Sequence, residues 1–188
     1  HDFNNQLMVF TGYAQEIAPV ADRMVRYKCM DEPGGMSYEA VAKSDLCRKK
    51  FADDLRTQGL TPTDLGVSSW AEVVPVLPKE AEQKPELFYH TGIFRLQAFA
   101  TLARAVTAAK NKHLPKTGLT YVNYSPPYSG GSWTTRGTDL FFAQRNGGFE
   151  MGWTEDWLGW GASVQQLSDT LALFRAAGRP TNQPIGCG

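Results

Sequence analysis

Short apolar runs alternate with helix-length amphipathic patterns along this chain, and that alternation limits its fold more than any single motif does. Residues 23–30, "RMVRYKCM", contain no glycine or proline and lead into the turn-forming "DEPGGM", so they read as a buried strand. "TGLTYVNYSPP" is a second strand, ended by two prolines; "FEMGWT" is a third and "QPIGCG" the start of a fourth. Before the first strand, "NNQLMVFTGYAQEIAPVADR" has helical spacing up to Pro19. Ser37 is a plausible N-cap for "YEAVAKSDLCRKKFADDLRTQG", whose Val41, Leu46, Phe51 and Leu55 lie near one face and whose Gly59 is a stop. The longest helix is predicted over 86–113, with Leu96, Phe99, Leu102, Val106 and Ala109 as its apolar stripe. "TDLFFAQRNGG" is a short helix closed by Gly147, and "SVQQLSDTLALFRAAG" a final one stopped by Gly178 and Pro180. Strands separated by helices imply right-handed crossovers and a parallel sheet.

In such sheets the chemistry sits at the carboxyl ends of the strands. The three full strands end in Asp31-Glu32, in Asn123-Tyr124-Ser125, and in Trp153-Thr154-Glu155-Asp156. Two carboxylates across a concave site are the minimum for cleaving a glycosidic bond: one donates a proton to the leaving oxygen, the other attacks the anomeric carbon or activates water. Glu32 and Glu155 are the natural pair. Asp31 and Asp156 stand beside them, and a second carboxylate raises the pKa of its neighbour, which suits a general acid. Asn123 is placed to hydrogen-bond a hydroxyl. Tyr124, Tyr128, Trp133, Trp153, Trp157 and Trp160 offer faces on which sugar rings stack. Taken singly these residues have ordinary readings: acids beside glycine and proline cap helices or face solvent, and strand-end tryptophans close cores. The shared strand-end position is what favours a site.

Several function classes are disfavoured. Lys+Arg and Asp+Glu are equal at 19 each, so no net field draws nucleic acid or an anionic membrane. No apolar run approaches the ~20 residues of a membrane span. No leader pattern is legible at the start, and the sequence is compatible with a secreted or periplasmic site. Cys29, Cys47 and Cys187 are widely spaced and form neither a disulfide framework nor a metal knuckle. "SGGSWTTR" lacks the lysine of a phosphate-binding loop. Asn123-Tyr124-Ser125 matches a glycosylation sequon but falls in a strand, with Pro126 after it. His1 invites a copper polysaccharide monooxygenase reading, with His90 or His113 as the second imidazole. Those enzymes are β-sandwiches, whereas this chain is dominated by helical periodicity.

The succession "YKCMDEPGG", "LRTQGLTPTDLGVSSWAEV", "PELFYHTGIFRL", "TYVNYSPPY" and "GWTEDWLGW" resembles bacterial glycoside-hydrolase-like proteins with a TIM-barrel catalytic domain, distantly akin to the clan A beta-galactosidases. The resemblance extends over most of the chain and implies a (β/α)8 barrel, a retaining mechanism and Glu32 as acid/base. Clan A enzymes place Asn before that glutamate, where this chain has Asp31. They also place the nucleophile three strands on, whereas Glu155 follows after two, which makes an assisting role for Glu155 the alternative. A full barrel takes ~250 residues. The expectation is therefore that residues 1–188 are part of a single catalytic-type α/β barrel domain, an internal segment of a longer protein. The expected partner is a carbohydrate, with neither nucleic acid nor membrane, and the chemistry requires no cofactor. A non-catalytic carbohydrate-binding relative is the alternative.

Overall fold

The computed structural model describes residues 12, 15–31, 33–124, 137–154 and 163–187. A 3-10 turn, Ala18–Arg23, leads into β1 (Arg26–Asp31). Helices α1 (Tyr38–Lys43) and α2 (Asp45–Thr57) follow, then three 3-10 turns and the long α3 (Pro85–His113). Next come β2 (Leu119–Asn123), α4 (Leu140–Arg145), β3 (Gly152–Thr154), α5 (Val164–Gly178) and β4 (Ile185–Cys187). From β1 onward the described elements follow the expected order; the helix expected before β1 lies largely outside the described residues.

Local chemistry sets most of the boundaries. Ser37 Oγ accepts from the Ala40 amide at 3.0 Å and starts α1. Ser44 does the same for the Cys47 amide at 3.3 Å, so the single helix expected from Ser37 is two. The restart rotates the second helix, and Leu46, expected on the apolar face, is 76% exposed. Gly59, at φ +80°, takes the left-handed conformation that follows a helix end. In α3, Pro85 and Glu86 occupy the first turn while Lys110, Lys112 and His113 occupy the last, in agreement with the helix dipole. Asp139 caps α4 through the Phe142 amide, and Ser163 with Gln166 forms a capping box on α5.

β1 and β2 pair in parallel, from Arg26 opposite Leu119 to Asp31 opposite Asn123, with an irregularity between Lys28 and Met30. β3 and β4 form a second parallel pair. Between β2 and β3 there is an isolated bridge, Tyr124 to Thr154. The expected segment of an eight-stranded barrel is thus corrected: the described residues hold two separate two-stranded parallel sheets. The physical reason lies in the β2–β3 seam. The Thr120 carbonyl accepts from both the Glu150 and Met151 amides, at 3.0 and 3.1 Å. That doubling breaks the even hydrogen-bond spacing a parallel ladder needs. β3 and β4, at three residues each, are too short to re-establish it.

Helix α3 joins two apolar cores. Its first half packs Leu87 and Phe94 against Val41, Phe51, Leu55, Leu65, Val73 and Val76. Its second half packs Phe99 and Ala103 against Val122, Tyr124, Leu140, Phe149 and Phe174. The expected stripe holds at Phe99 and Val106, whereas Leu96, Leu102 and Ala109 are only half-buried. Two cations, Arg95 and Lys110, lie on the buried side instead, at 1% and 0% exposure. Among the described residues, no helix is long and apolar enough to cross a membrane.

Candidate functional site

Because β1, β2 and β3 run parallel, their carboxyl ends lie at one edge. Asp31 closes β1 and Asn123 closes β2, directly opposite each other in register. Asn123 Nδ2 donates to Asp31 Oδ1 at 3.0 Å, and Lys28 Nζ lies 2.6 Å from the same oxygen. The hydrogen bond from Lys28, and then that from Asn123, hold the exposed Asp31 carboxyl below its ordinary pKa. Asp31 is therefore a fixed negative charge at neutral pH rather than a proton donor. Asn123 is 5% exposed, so the bond fixes its amide across the two strands.

The two aromatics at this edge are placed differently from the expected sugar platform. Tyr124 is 2% exposed, with its ring edge-on to Phe174 at 5.7 Å. Its hydroxyl has no hydrogen-bond partner among the described residues, and burial raises its pKa above the ordinary value. Period-two alternation turns Tyr124 toward the helices, and at that burial it offers no face to a sugar. Trp153 points to the opposite side of the sheet. Its ring contacts Tyr121 at 5.1 Å, and the Arg26 guanidinium lies 4.6 Å above the ring. A Cβ at Gly186 would fall 2.7 Å from the indole, so this glycine gives the ring its room. Glu32, Tyr128, Trp133, Glu155, Asp156, Trp157 and Trp160 lie outside the described residues.

A residue that sequence reasoning missed lies against the chain that follows β1. Arg95 Nε donates to the Met36 carbonyl at 2.6 Å, and its guanidinium lies 3.9 Å over the Tyr38 ring. Gly137, with φ +72°, approaches so closely that an added Cβ would be 3.0 Å from both Arg95 Nη2 and the Met36 oxygen. A Cβ on Gly35 would be only 2.1 Å from the Gly137 oxygen. The chain that follows β1 and the chain that enters α4 are thus in backbone contact, against one buried guanidinium. The sequence signal was a cation within an apolar stripe, four residues from both Thr91 and Phe99.

The amino-terminal side of the same strands carries a second polar cluster. Lys110 Nζ pairs with Glu150 Oε2 at 2.7 Å and donates to the Gly118 carbonyl at 2.6 Å. Glu150 Oε2 also accepts from the Thr120 amide at 2.9 Å, and its Oε1 accepts from Asn111 at 3.0 Å. Burial pushes the Glu150 carboxyl up, but the hydrogen bonds from Lys110, the Thr120 amide and Asn111 outweigh it, leaving a lowered pKa. Both carboxylate oxygens accept from the protein itself, which marks this as a structural pin rather than a reactive site. Nearby, burial pushes the Cys29 thiol up to about 12, against a lowering hydrogen bond from Tyr121. Cys187 is exposed. Alkylation followed by peptide mass spectrometry is expected to label Cys187 first and Cys29 last, because burial both shields Cys29 and lowers its thiolate fraction. Equal labelling of the two in the folded protein would contradict the burial of Cys29.

A groove of about 380 Å³ lies elsewhere, beside α1, with Glu39, Lys43, Arg48, Pro75 and Glu80 among its walls. It has no aromatic lining and does not reach the strand ends. Among the described residues no cluster of His, Cys, Asp and Glu could hold a metal ion. His90 and His113, the two candidates for a second copper ligand, are 23 positions apart on α3, roughly 35 Å along a helix. No family model matches the chain, and no curated protein is significantly similar to it.

Proposed function

We propose that this protein is a glycoside hydrolase, with Glu32 as proton donor and Glu155 as the second carboxylate. The observation that carries the reading is the common edge of three parallel strands, with Asp31 and Asn123 joined across two of them. In the sequence, Glu32 follows Asp31 directly and Glu155 follows Thr154 directly. Asp31 and Thr154 stand on strands separated by β2, hence by two strand intervals, about 9.6 Å. That backbone interval lies just above the carboxyl separation of inverting glycosidases, roughly 6.5–9.5 Å, and well above the about 5–5.5 Å of retaining ones, so the pair requires side chains that converge across β2. The Asp31 carboxylate, partly neutralised by Lys28, opposes a second negative charge on the glutamate that follows it in sequence and so favours that residue's protonated form.

The test is hydrolysis of a panel of aryl glycosides and polysaccharides by the full chain, with the anomeric form of the product followed by NMR. Turnover that yields one anomer first supports the reading and assigns the stereochemistry. Sugar binding without turnover, unchanged in Glu32→Gln, would replace it with a non-catalytic carbohydrate-binding role. Asp31→Asn removes the fixed charge, so the proton donor loses its proton at lower pH. The alkaline limb of the kcat/KM profile is then expected to move to lower pH, while the acidic limb, set by the second carboxylate, moves less. An unmoved alkaline limb would separate Asp31 from the proton donor.

A further inference from the structure

We propose that Arg95 is a positioning residue for the strand-edge site, holding the segment after β1 against the segment entering α4 so that the two stay in fixed relation. Its kinetic consequence rests on the glycosidase reading above; its structural consequence does not.

A guanidinium at 1% exposure, on an apolar stripe between Phe94 and Phe99, is costly to desolvate. Packing alone would be served by methionine or leucine, so the contacts peculiar to a guanidinium identify its role. The Nε bond to Met36 reaches across 59 residues of sequence and ends four residues after Glu32. The plane of the group is fixed by Tyr38, and Tyr38 is itself stacked on Phe88 of α3, 5.3 Å apart and 15° from parallel. Guanidinium and supporting ring are therefore both held by the same helix, and α3 acts as a rigid post. The opposite side of the contact is Gly137, two residues before the Asp139 cap of α4. Gly137 combines a left-handed φ with tight surroundings, where an added Cβ would press on the guanidinium and the Met36 oxygen at 3.0 Å, so it is suited to this position in two ways. Three separate parts of the chain, 35–36, 95 and 137, thus meet at one group. Displacing it frees both segments together, because Gly35 and Gly137 touch each other as well as the arginine side.

The experiment uses the full chain and the variants Arg95→Met, Gly137→Ala and their double. Hydrogen exchange is read on peptides covering 33–37 and 137–139, with kcat and KM measured in parallel. Lys110→Met, on the same helix at the opposite edge, serves as a destabilised control. Arg95→Met and Gly137→Ala are each expected to speed exchange in both segments together, and the double no more than either alone, since they break one contact. Turnover is expected to fall by about 10-fold to 10²-fold, as for a modest misplacement of reacting groups, with KM changed little. The Lys110→Met control should lose thermal stability without that loss of kcat. Should Arg95→Met fail to fold, Arg95→Lys keeps the charge but lacks the Nε donor and is expected to give the same paired exchange. Faster exchange in one segment only, or a kcat that tracks thermal stability equally in the control, would overturn the proposal. If the wild type turns over no glycoside, the exchange result still decides the role of Arg95, and only the glycosidase reading falls.

Discussion

Glu150→Gln is expected to destabilise the fold by about 3–5 kcal/mol, the usual cost of removing one partner from a buried ion pair. Lys110 is fully buried, and the Glu150 carboxylate pairs with its ammonium group. A glutamine has nearly the same shape, so packing is preserved and the effect is electrostatic. The carboxylate accepts from Lys110 and Thr120 on one oxygen and from Asn111 on the other. A glutamine amide must turn its NH2 toward one of those donors, which leaves a donor facing a donor. Chemical denaturation of the variant measures the loss. The double variant Lys110→Met/Glu150→Gln removes the stranded cation as well, and is expected to be at least about 1 kcal/mol more stable than the sum of the single changes. Strict additivity would show that the pair contributes no coupling.

The same cluster gives stability an acid limb. The folded-state pKa of Glu150 lies below its ordinary value. Its contribution is therefore fully present above the unfolded value of about 4.3. It is lost as pH falls through the folded-state value, because the unfolded chain then binds the proton first. Glu150→Gln should flatten that part of the stability profile. An unchanged slope between neutral and acidic pH would assign the acid sensitivity to other carboxylates.

The second large effect concerns turnover. Glu155→Gln is expected to lower kcat by about 10²–10⁴-fold, the range associated with loss of one acid–base group, and by more if the residue forms a covalent glycosyl intermediate. The thermal transition should stay close to that of the wild type. Glu155 and Asp156 are adjacent, so Asp156→Asn is the necessary comparison. A loss confined to Asp156→Asn would transfer the second carboxylate by one position and preserve the mechanism. If both variants retain full rate, the partner of Glu32 lies elsewhere in the fold.

What the sequence made legible, and what it hid, follows from the range of the interactions involved. Strand positions were readable because each is a short apolar run bounded by glycine or proline, as in "YKCMDEPGG". The common edge followed from alternation alone, and the Asp31–Asn123 bond lies where that edge predicts convergence. The break at Ser44 was hidden because a serine within a helical pattern is neutral until its hydroxyl finds the Cys47 amide. Arg95 and Lys110 were hidden because hydropathy counts them as polar. Their burial depends on the carbonyls of Met36 and Gly118 and on Glu150, brought together only by the fold. The division into two sheets depends on two amides competing for the Thr120 carbonyl. The barrel expected from family resemblance gives no warning of such a seam. Tyr124 and Trp153 were correctly assigned to strand ends, but their opposite faces, one in the core and one beneath Arg26, were set by long-range packing.

The central claim, that Glu32 donates a proton to a glycosidic leaving group, is tested most directly by the leaving-group dependence of kcat/KM in Glu32→Gln. A poor leaving group, such as an alcohol, needs that proton, whereas a strongly acidic phenol departs without it. The account predicts a loss of about 10²–10⁴-fold on the poor leaving group and near wild-type kcat/KM on the dinitrophenyl glycoside of the same sugar. An equal loss on both substrates, or none on either, would contradict it.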